Sequence, residues 1–336
     1  MKNYIYKFLL FFIFYSISIN SSGQQIISST KDAKSLLEAY LSPLGNGLGS
    51  GLNNGWYNTG KPHKLGGFDV SININTVVFN DNQKFFDINE LENFRSSATK
   101  TPTIVGNGEG ANVTYEGLEN DINFTMPNQN SFSFLPVPAA NASVGLFKKT
   151  EIGFRYIPKY TFEKGFIGKG SIGLWGLSIK HDLLQWVPGI GNIIPLDLSL
   201  QYGLTNLNTN FQIESQGVKQ SVNLKTNAST LNLILSKKLL ILTAHGSIGY
   251  NFSSTDFSTG ETQINFGDGN NSDIISIYVP ADIEFKTQNS FRFNVGLRTK
   301  ITLITLYANY TYSEYPVFTV GTVSYTHLRA HETSDY

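Results

Sequence analysis

The sequence predicts an all-β chain folded as an antiparallel transmembrane β-barrel, closed by a short N-terminal helix and a glycine-rich plug. Three observations predict it. First, long runs alternate without error: Leu242, Ala244, Gly246, Ile248, Tyr250 and Phe252 share one face of a strand, and Thr243, His245, Ser247, Gly249 and Asn251 share the other. A strand of that kind suits a wall with lipid on one side and water on the other. Second, only 15% of the 336 residues are charged, against 24 Phe, 17 Tyr and 31 Gly, whereas an ordinary soluble domain carries about 25% charge. Third, mean hydropathy is −0.12, so apolar residues are diluted by polar ones and not pooled into spanning helices.

The elements follow in order. Lys2 and Lys7 precede an apolar run from Phe8 to Ile19, and then come Ser21, Ser22 and Gly23. This is the order of a cleaved secretory signal, assigned to residues 1–23. The chain has no cysteine, which excludes a lipid-anchoring cysteine and a disulfide framework. An exported, cysteine-free chain of alternating strands is expected in the outer membrane of a Gram-negative cell. Zero net charge gives no reason to expect nucleic acid as a partner.

Residues 24–66 read as the plug. A helix is expected from Ser29 to Leu41, capped by Ser29 or Thr30, with Leu36, Leu37, Tyr40 and Leu41 on its apolar side. Pro43 is expected to break it, ahead of Gly45, Gly47, Gly49, Gly51 and Gly55. Leu44, Leu48, Leu52, Trp56 and Tyr57 are too apolar for a solvated linker, so the segment is placed inside or beneath the barrel. Asn54, Gly55, Trp56, Tyr57 and Asn58 are its candidate plug and ligand residues.

Residues 67–322 read as the barrel. Phe68, Val70, Ile72 and Ile74 alternate with Asp69, Ser71, Asn73 and Asn75, and the same grammar recurs from Leu196, Phe291 and Thr305. The runs amount to about 12 strands, and even numbers are usual, so 12 or 14 are expected. Short basic turns are read at Lys148-Lys149, Lys237-Lys238 and Thr299-Lys300. Long polar loops are read at 81–131, 205–230 and 253–276. That segregation puts the short turns in the periplasm. Tyr250, Phe252, Tyr310, Tyr312, Tyr315 and Trp186 sit near strand ends, as interface aromatics do. Residues 323–336 drop the alternation and resemble a translated adapter, so they are read as a non-native tail.

Little chemistry is visible. His63, His181 and His245 lack ligand spacing, so no metal is expected, and no nucleotide loop or other cofactor signature appears. His245 and Ser247 share a strand face, where an imidazole can in principle activate a hydroxyl, as in outer-membrane phospholipases. The pair lies on the polar side, however, so both are read as lumen lining. Arg292 and Arg298 share the polar face of another strand with Lys300, and are read as lumen cations that pair with Asp282 or Glu284.

Three stretches carry a resemblance: Leu36 to Gly49 with Asn54 to Thr59, Thr150 to Pro158, and Ile179 to Gly189. They resemble an uncharacterised domain-of-unknown-function family of Gram-negative bacteria. More distantly, the helix and glycine segment ahead of a barrel, and the hairpin Leu146 to Tyr156, look like long-chain fatty-acid transporters of the FadL type. That likeness implies a porin-like plugged barrel that takes up small hydrophobic molecules and is no enzyme. Its implied partners are outer-membrane lipid, a small hydrophobic ligand and, during biogenesis, the barrel-assembly machinery. The competing expectations are a lipid hydrolase using His245 and Ser247, and an exported soluble β-sandwich that binds a partner.

Overall fold

The computed structural model describes residues 30–326, apart from 118–120, 127, 130–133, 165–167, 188–194, 216–217, 260–261, 267–274, 280–281, 286–288 and 302–303. The expected signal at 1–23 lies outside the described residues, as do residues 327–336 of the expected tail.

One sheet closes on itself. Its strands are β1 (Phe68–Val78), β2 (Phe134–Leu146), β3 (Thr150–Lys164), β4 (Gly168–Asp182), β5 (Asp197–Ser215), β6 (Val218–Leu239), β7 (Leu242–Thr259), β8 (Ser290–Ile301), β9 (Ile304–Tyr312) and β10 (Val317–Thr326). Sequence neighbours pair antiparallel, and β1 pairs with β10 to seal the ring. Closure leaves no strand edge, which a membrane requires because lipid offers edge groups no partners.

The ring has ten strands, not 12 or 14. The segment read as a loop at 205–230 is instead the continuation of β5 and β6, which run for 19 and 22 residues. A bilayer needs only about 9–11 tilted residues. Beyond it both faces can be polar, and Asn206, Asn208, Asn223 and Asn227 therefore erase the alternation. Asn206 Nδ2 donates to Asn227 Oδ1, and Asn208 Nδ2 to Asn206 Oδ1 at 2.7 Å. Likewise β7 continues to Thr259 through the segment read as starting a loop at 253. The last strand runs on to Thr326, with Val323 buried and opposite Ser71, so the boundary at 322 falls inside β10.

Burial is inverted relative to a water-soluble protein. Asn73, Asn75, Gln201, Asn232, Asn251 and Asn294 are buried, while Ile72, Ile179, Ile248, Val295, Leu306 and Val320 are exposed. In water such a belt would be a patch far beyond what a monomer tolerates; in lipid it is the solvated face. No helix among the described residues is long and apolar enough to cross a membrane, and the strands do the crossing. The chain is a transmembrane β-barrel.

The turns are partly as read. Lys148 and Lys149 adopt left-handed backbone, φ 52° and 45°, in the β2–β3 turn. Lys237 and Lys238 belong to β6, and Leu240 and Ile241 make the turn beyond them. Lys300 lies within β8. Tyr250 packs against Phe252 and Phe291 at 5.0 and 4.9 Å, and Tyr310 against Phe318 at 4.7 Å, which forms part of an aromatic girdle. Tyr315 does not join it; its ring is buried against Phe79.

Inside the ring lies α1 (Thr30–Leu52), which runs straight through Pro43 and the glycines instead of ending near Leu41. Proline and glycine weaken an isolated helix, but here the wall decides the outcome. A Cβ on Gly47 would stand 2.8 Å from the Phe79 ring and one on Gly51 2.6 Å from Val137, and Gly49 meets Ser253 more closely still. Gly47 and Gly51, one turn apart, thus press one side of the helix against β1 and β2, while Gly49, on the opposite side, lies against β7. Gly51→Ala is expected to destabilise the fold by about 1–3 kcal/mol, and Val137→Ala in the same chain to restore much of the loss. Thermal unfolding in detergent checks this; no loss in the single variant, or no recovery in the double, would contradict the packing.

At the long-loop end the segment between β1 and β2 folds over α1 as a cap. Ile88, Phe94, Val113, Tyr115, Phe124 and Met126 make a conventional apolar core, which takes in Leu36 and Tyr40 of the helix. The Asp32 carboxylate, in the first turn of α1, accepts from Tyr115 Oη at 2.9 Å and Asn93 Nδ2 at 3.0 Å. A carboxylate there also suits the positive end of the helix dipole.

Candidate functional site: the plugged lumen

A ring of this size encloses more space than wall side chains alone fill. Residues 30–66 occupy it, with the chain passing from the long-loop end to the short-turn end before it turns back into β1. Two arginines hold the C-terminal end of α1 from different walls. Arg155 on β3 donates through Nη1 to Leu52 O at 2.6 Å, through Nη2 to Asn54 O at 2.8 Å and through Nε to Asn141 Oδ1 at 2.8 Å. Arg292 on β8 donates through Nη1 to Asn53 O at 2.8 Å and through Nη2 to Asn54 Oδ1 at 2.7 Å. Each side chain is 1% exposed, so each charge depends on what surrounds it. The carbonyls that end a helix carry partial negative charge and lack partners within the helix. The arginines supply those partners, and the carbonyls supply the compensating charge.

The expected plug residues all lie at this junction. Asn54 bonds to Arg292 and to Thr311 Oγ1, at 2.6 Å. Gly55 has φ 77° and stands against the amides of Asn73 and Asn75, so it needs both the left-handed backbone and the missing side chain. The Trp56 ring lies 3.9 Å from the Arg155 guanidinium. Tyr57 Oη bonds to Ser247 Oγ at 2.6 Å, and its ring meets His245 edge-on at 6.1 Å. Asn58 is half-buried beside them.

His245 and Ser247 therefore do face the lumen, but against the plug and not against open water. Arg292 is likewise bound to the plug; the side chains of Asp282 and Glu284, read as partners of the lumen cations, lie outside those the structure describes. Arg298 lies on the same face of β8, nearer the short-turn end, and is half-buried. At that end the plug is pinned again. His63 N donates to Glu151 Oε2 at 2.9 Å, His63 Nε2 lies 2.9 Å from Asp69 Oδ2, and Glu151 pairs with Lys180 at 2.9 Å. Ser199 Oγ donates to Gly60 O, and Gly60 N to Ser236 Oγ at 3.0 Å.

Arg155 escaped the sequence reading although its signal is plain. It stands between Phe154 and Tyr156, as Arg292 stands between Phe291 and Phe293, and a charge between two lipid-facing aromatics must point inward.

The outer half of the lumen differs in character. Lumen-facing Ile157, Leu174, Leu224 and Phe257, together with polar Lys159, Thr209, Lys225 and Asp256, line a cavity of about 1200 Å3 that reaches Lys34 of α1. The helix presents Leu37, Leu41, Leu44 and Leu48 in the same region. Below it the wall turns polar at Thr205, Gln201 and Asn232.

No curated protein sequence matches the chain. Among solved structures it is similar to the translocator domain of the autotransporter NalP from Neisseria meningitidis, at 10% identity and TM-score 0.32, covering 86% of this chain and 97% of that one. It is similar to the beta domain of the Bordetella autotransporter BrkA at 10% identity and TM-score 0.33, covering 78% and 100%. It is also similar to the Pseudomonas putida toluene transporter TodX at 8% identity and TM-score 0.30, covering 85% and 96%. The family is given by the sequence itself, for residues 1–324 match the family of unknown function DUF6588, and the chain belongs to it.

Proposed function

We propose that this outer-membrane barrel is a plugged channel for uptake of small hydrophobic molecules, with the cavity beside α1 as its binding site. The observation that carries the reading is the apolar group Ile157, Leu174, Leu224 and Phe257 within an otherwise polar lining, on strand faces that elsewhere point polar groups inward. Apolar groups in a lumen open to water are unfavourable unless something apolar covers them. Leu174 and Leu224 are already buried, Leu174 in one cluster with Leu44 and Leu48 of α1, and a hydrophobic ligand would cover the half-buried Ile157 and Phe257 that remain; the volume is ample for one. The FadL-type likeness read from the sequence points the same way.

The reading makes the barrel a carrier and not an enzyme. The Ser247 hydroxyl is bound to Tyr57 on the lumen side, away from the lipid that a phospholipase would need to reach. The experiment is removal of the plug. Deleting residues 31–58 is expected to raise single-channel conductance in planar bilayers many-fold, since this segment fills the lumen. Unchanged conductance in a folded variant would sink the proposal.

A further inference from the structure

The apolar belt is set toward one end of the wall. At the long-loop end the outward positions of β5 and β6 turn to Asn206, Asn208, Asn223 and Asn227 well inside the strands. At the short-turn end the wall stays apolar through its turns. Leu240 and Ile241, which join β6 to β7, are 92% and 67% exposed; Phe147 in the β2–β3 turn is 74% exposed, and Trp186 beyond β4 is 60% exposed. Tips of that size are unfavourable in water and are accommodated where the bilayer interface reaches them.

The same end is basic. Lys61, Lys64, Lys148, Lys149, Lys237 and Lys238 are exposed there, and no described carboxylate is. Glu151 and Asp182 are buried against Lys180 and Lys149 at 2.9 and 3.1 Å, and Asp69 is buried against His63. Asp197 is half-buried and accepts from Ser236 Oγ at 3.3 Å. The long-loop end instead mixes both signs, with Glu90, Glu92, Glu109 and Glu116 exposed as well as Lys31 and Arg95.

Two of the lysines stand at the lipid edge. Lys237 lies two residues beyond lipid-facing Leu235 on the outward face of β6. Lys148 Nζ lies 5.8 Å from the Trp186 ring, and that ring is fixed in turn by a hydrogen bond from Nε1 to His181 Nε2 at 2.8 Å. Because Nε2 accepts there, the neutral His181 ring carries its proton on Nδ1 and donates to Thr150 Oγ1 at 2.8 Å. An apolar tip and a held aromatic ring thus place a cation at the depth where lipid headgroups begin.

We propose that the short-turn rim is a binding surface for anionic phospholipid headgroups: the apolar tips set its depth in the bilayer, and Lys148 and Lys237 meet the phosphates, with the other lysines of that end adding to the field. The rim is continuous with the lipid-facing belt, which favours a lipid over an acidic protein as the occupant. Basic side chains at an anionic membrane surface are attracted individually and additively. The proposal is independent of the uptake reading and needs only the membrane-spanning wall.

The test uses the full-length protein in phosphatidylcholine bilayers that carry a trace of spin-labelled phosphatidylglycerol or spin-labelled phosphatidylcholine. Electron paramagnetic resonance reads the fraction of each probe immobilised on the protein. The wild type is expected to hold phosphatidylglycerol several-fold more strongly than phosphatidylcholine. That preference should fall toward unity in Lys148→Gln/Lys237→Gln, and should persist in Lys31→Gln/Lys100→Gln, which removes the same charge from the long-loop end. Raising NaCl to about 1 M should abolish it in the wild type, since charges are then screened within about 3 Å; this arm does not depend on any variant folding. Equal immobilisation of both probes by the wild type would overturn the proposal and leave the basic face to an acidic protein. A preference that Lys148→Gln/Lys237→Gln retains, or that about 1 M NaCl leaves intact, would also overturn it.

Discussion

Replacing Arg155 and Arg292 together by alanine is expected to turn a quiet barrel into a noisy one and to lower its unfolding temperature in detergent more than any other pair of lumen substitutions. Removing Arg292 leaves Asn53 O without its donor and weakens the hold on Asn54 Oδ1; removing Arg155 leaves Leu52 O only the long bond from Thr205 Oγ1 at 3.5 Å and Asn54 O only Asn75 Nδ2 at 3.3 Å. Orphaned buried acceptors cost about 1–3 kcal/mol each, so each arginine is expected to contribute on the order of 3 kcal/mol. Both grip Asn54, so the double variant should lose less than the sum of the singles. Lysine at either position keeps the charge but not the fork that spans two carbonyls, and should recover only part of the loss. A double variant with unchanged melting and no current fluctuations would show that the plug is held by something else.

Val295→Arg is expected to cost about 2–4 kcal/mol in refolding into lipid vesicles, the range for a cation near mid-bilayer on the outer face of a barrel. Val295 is 62% exposed, and in a water-soluble sheet the same change would be nearly neutral. Asn208→Arg, also outward but above the apolar belt on β5, should stay within about 0.5 kcal/mol. The contrast between the two positions is the measurement. Equal, small effects at both would remove the belt from lipid.

What the sequence made legible follows from which forces leave a local trace. The alternation of β1, β7, β8 and β9 is local, and it identified a barrel wall and the inward face of His245, Ser247, Arg292 and Arg298. The strand count was harder to read. Where β5 and β6 rise past the bilayer, Asn206 and Asn223 replace apolar residues, and the two-sided polarity resembles a loop. The helix was under-read for the opposite reason. Pro43 and four glycines argue against helix on propensity, and what overrides them is contact with Phe79, Val137 and Ser253, residues far away in the chain. The arginine clamp joins Arg155 to Leu52 and Asn54 and Arg292 to Asn53 and Asn54, again across more than a hundred residues. Asn54, Trp56 and Tyr57 were recognisable as plug residues because of their composition, but their partners were not.

The seam between β1 and β10 sets the order of assembly. The plug leads directly into β1, and β1 pairs with both the second strand and the last. Helix, first strand and cap are contiguous in sequence, so their contacts form early, whereas the seam joins residues some 250 apart and comes late, because distant pairings are slow. A barrel that closed first would have to thread a capped helix through its own lumen. A sheet that curls around the helix does not, and the plug then serves as the mandrel on which the cylinder is wound.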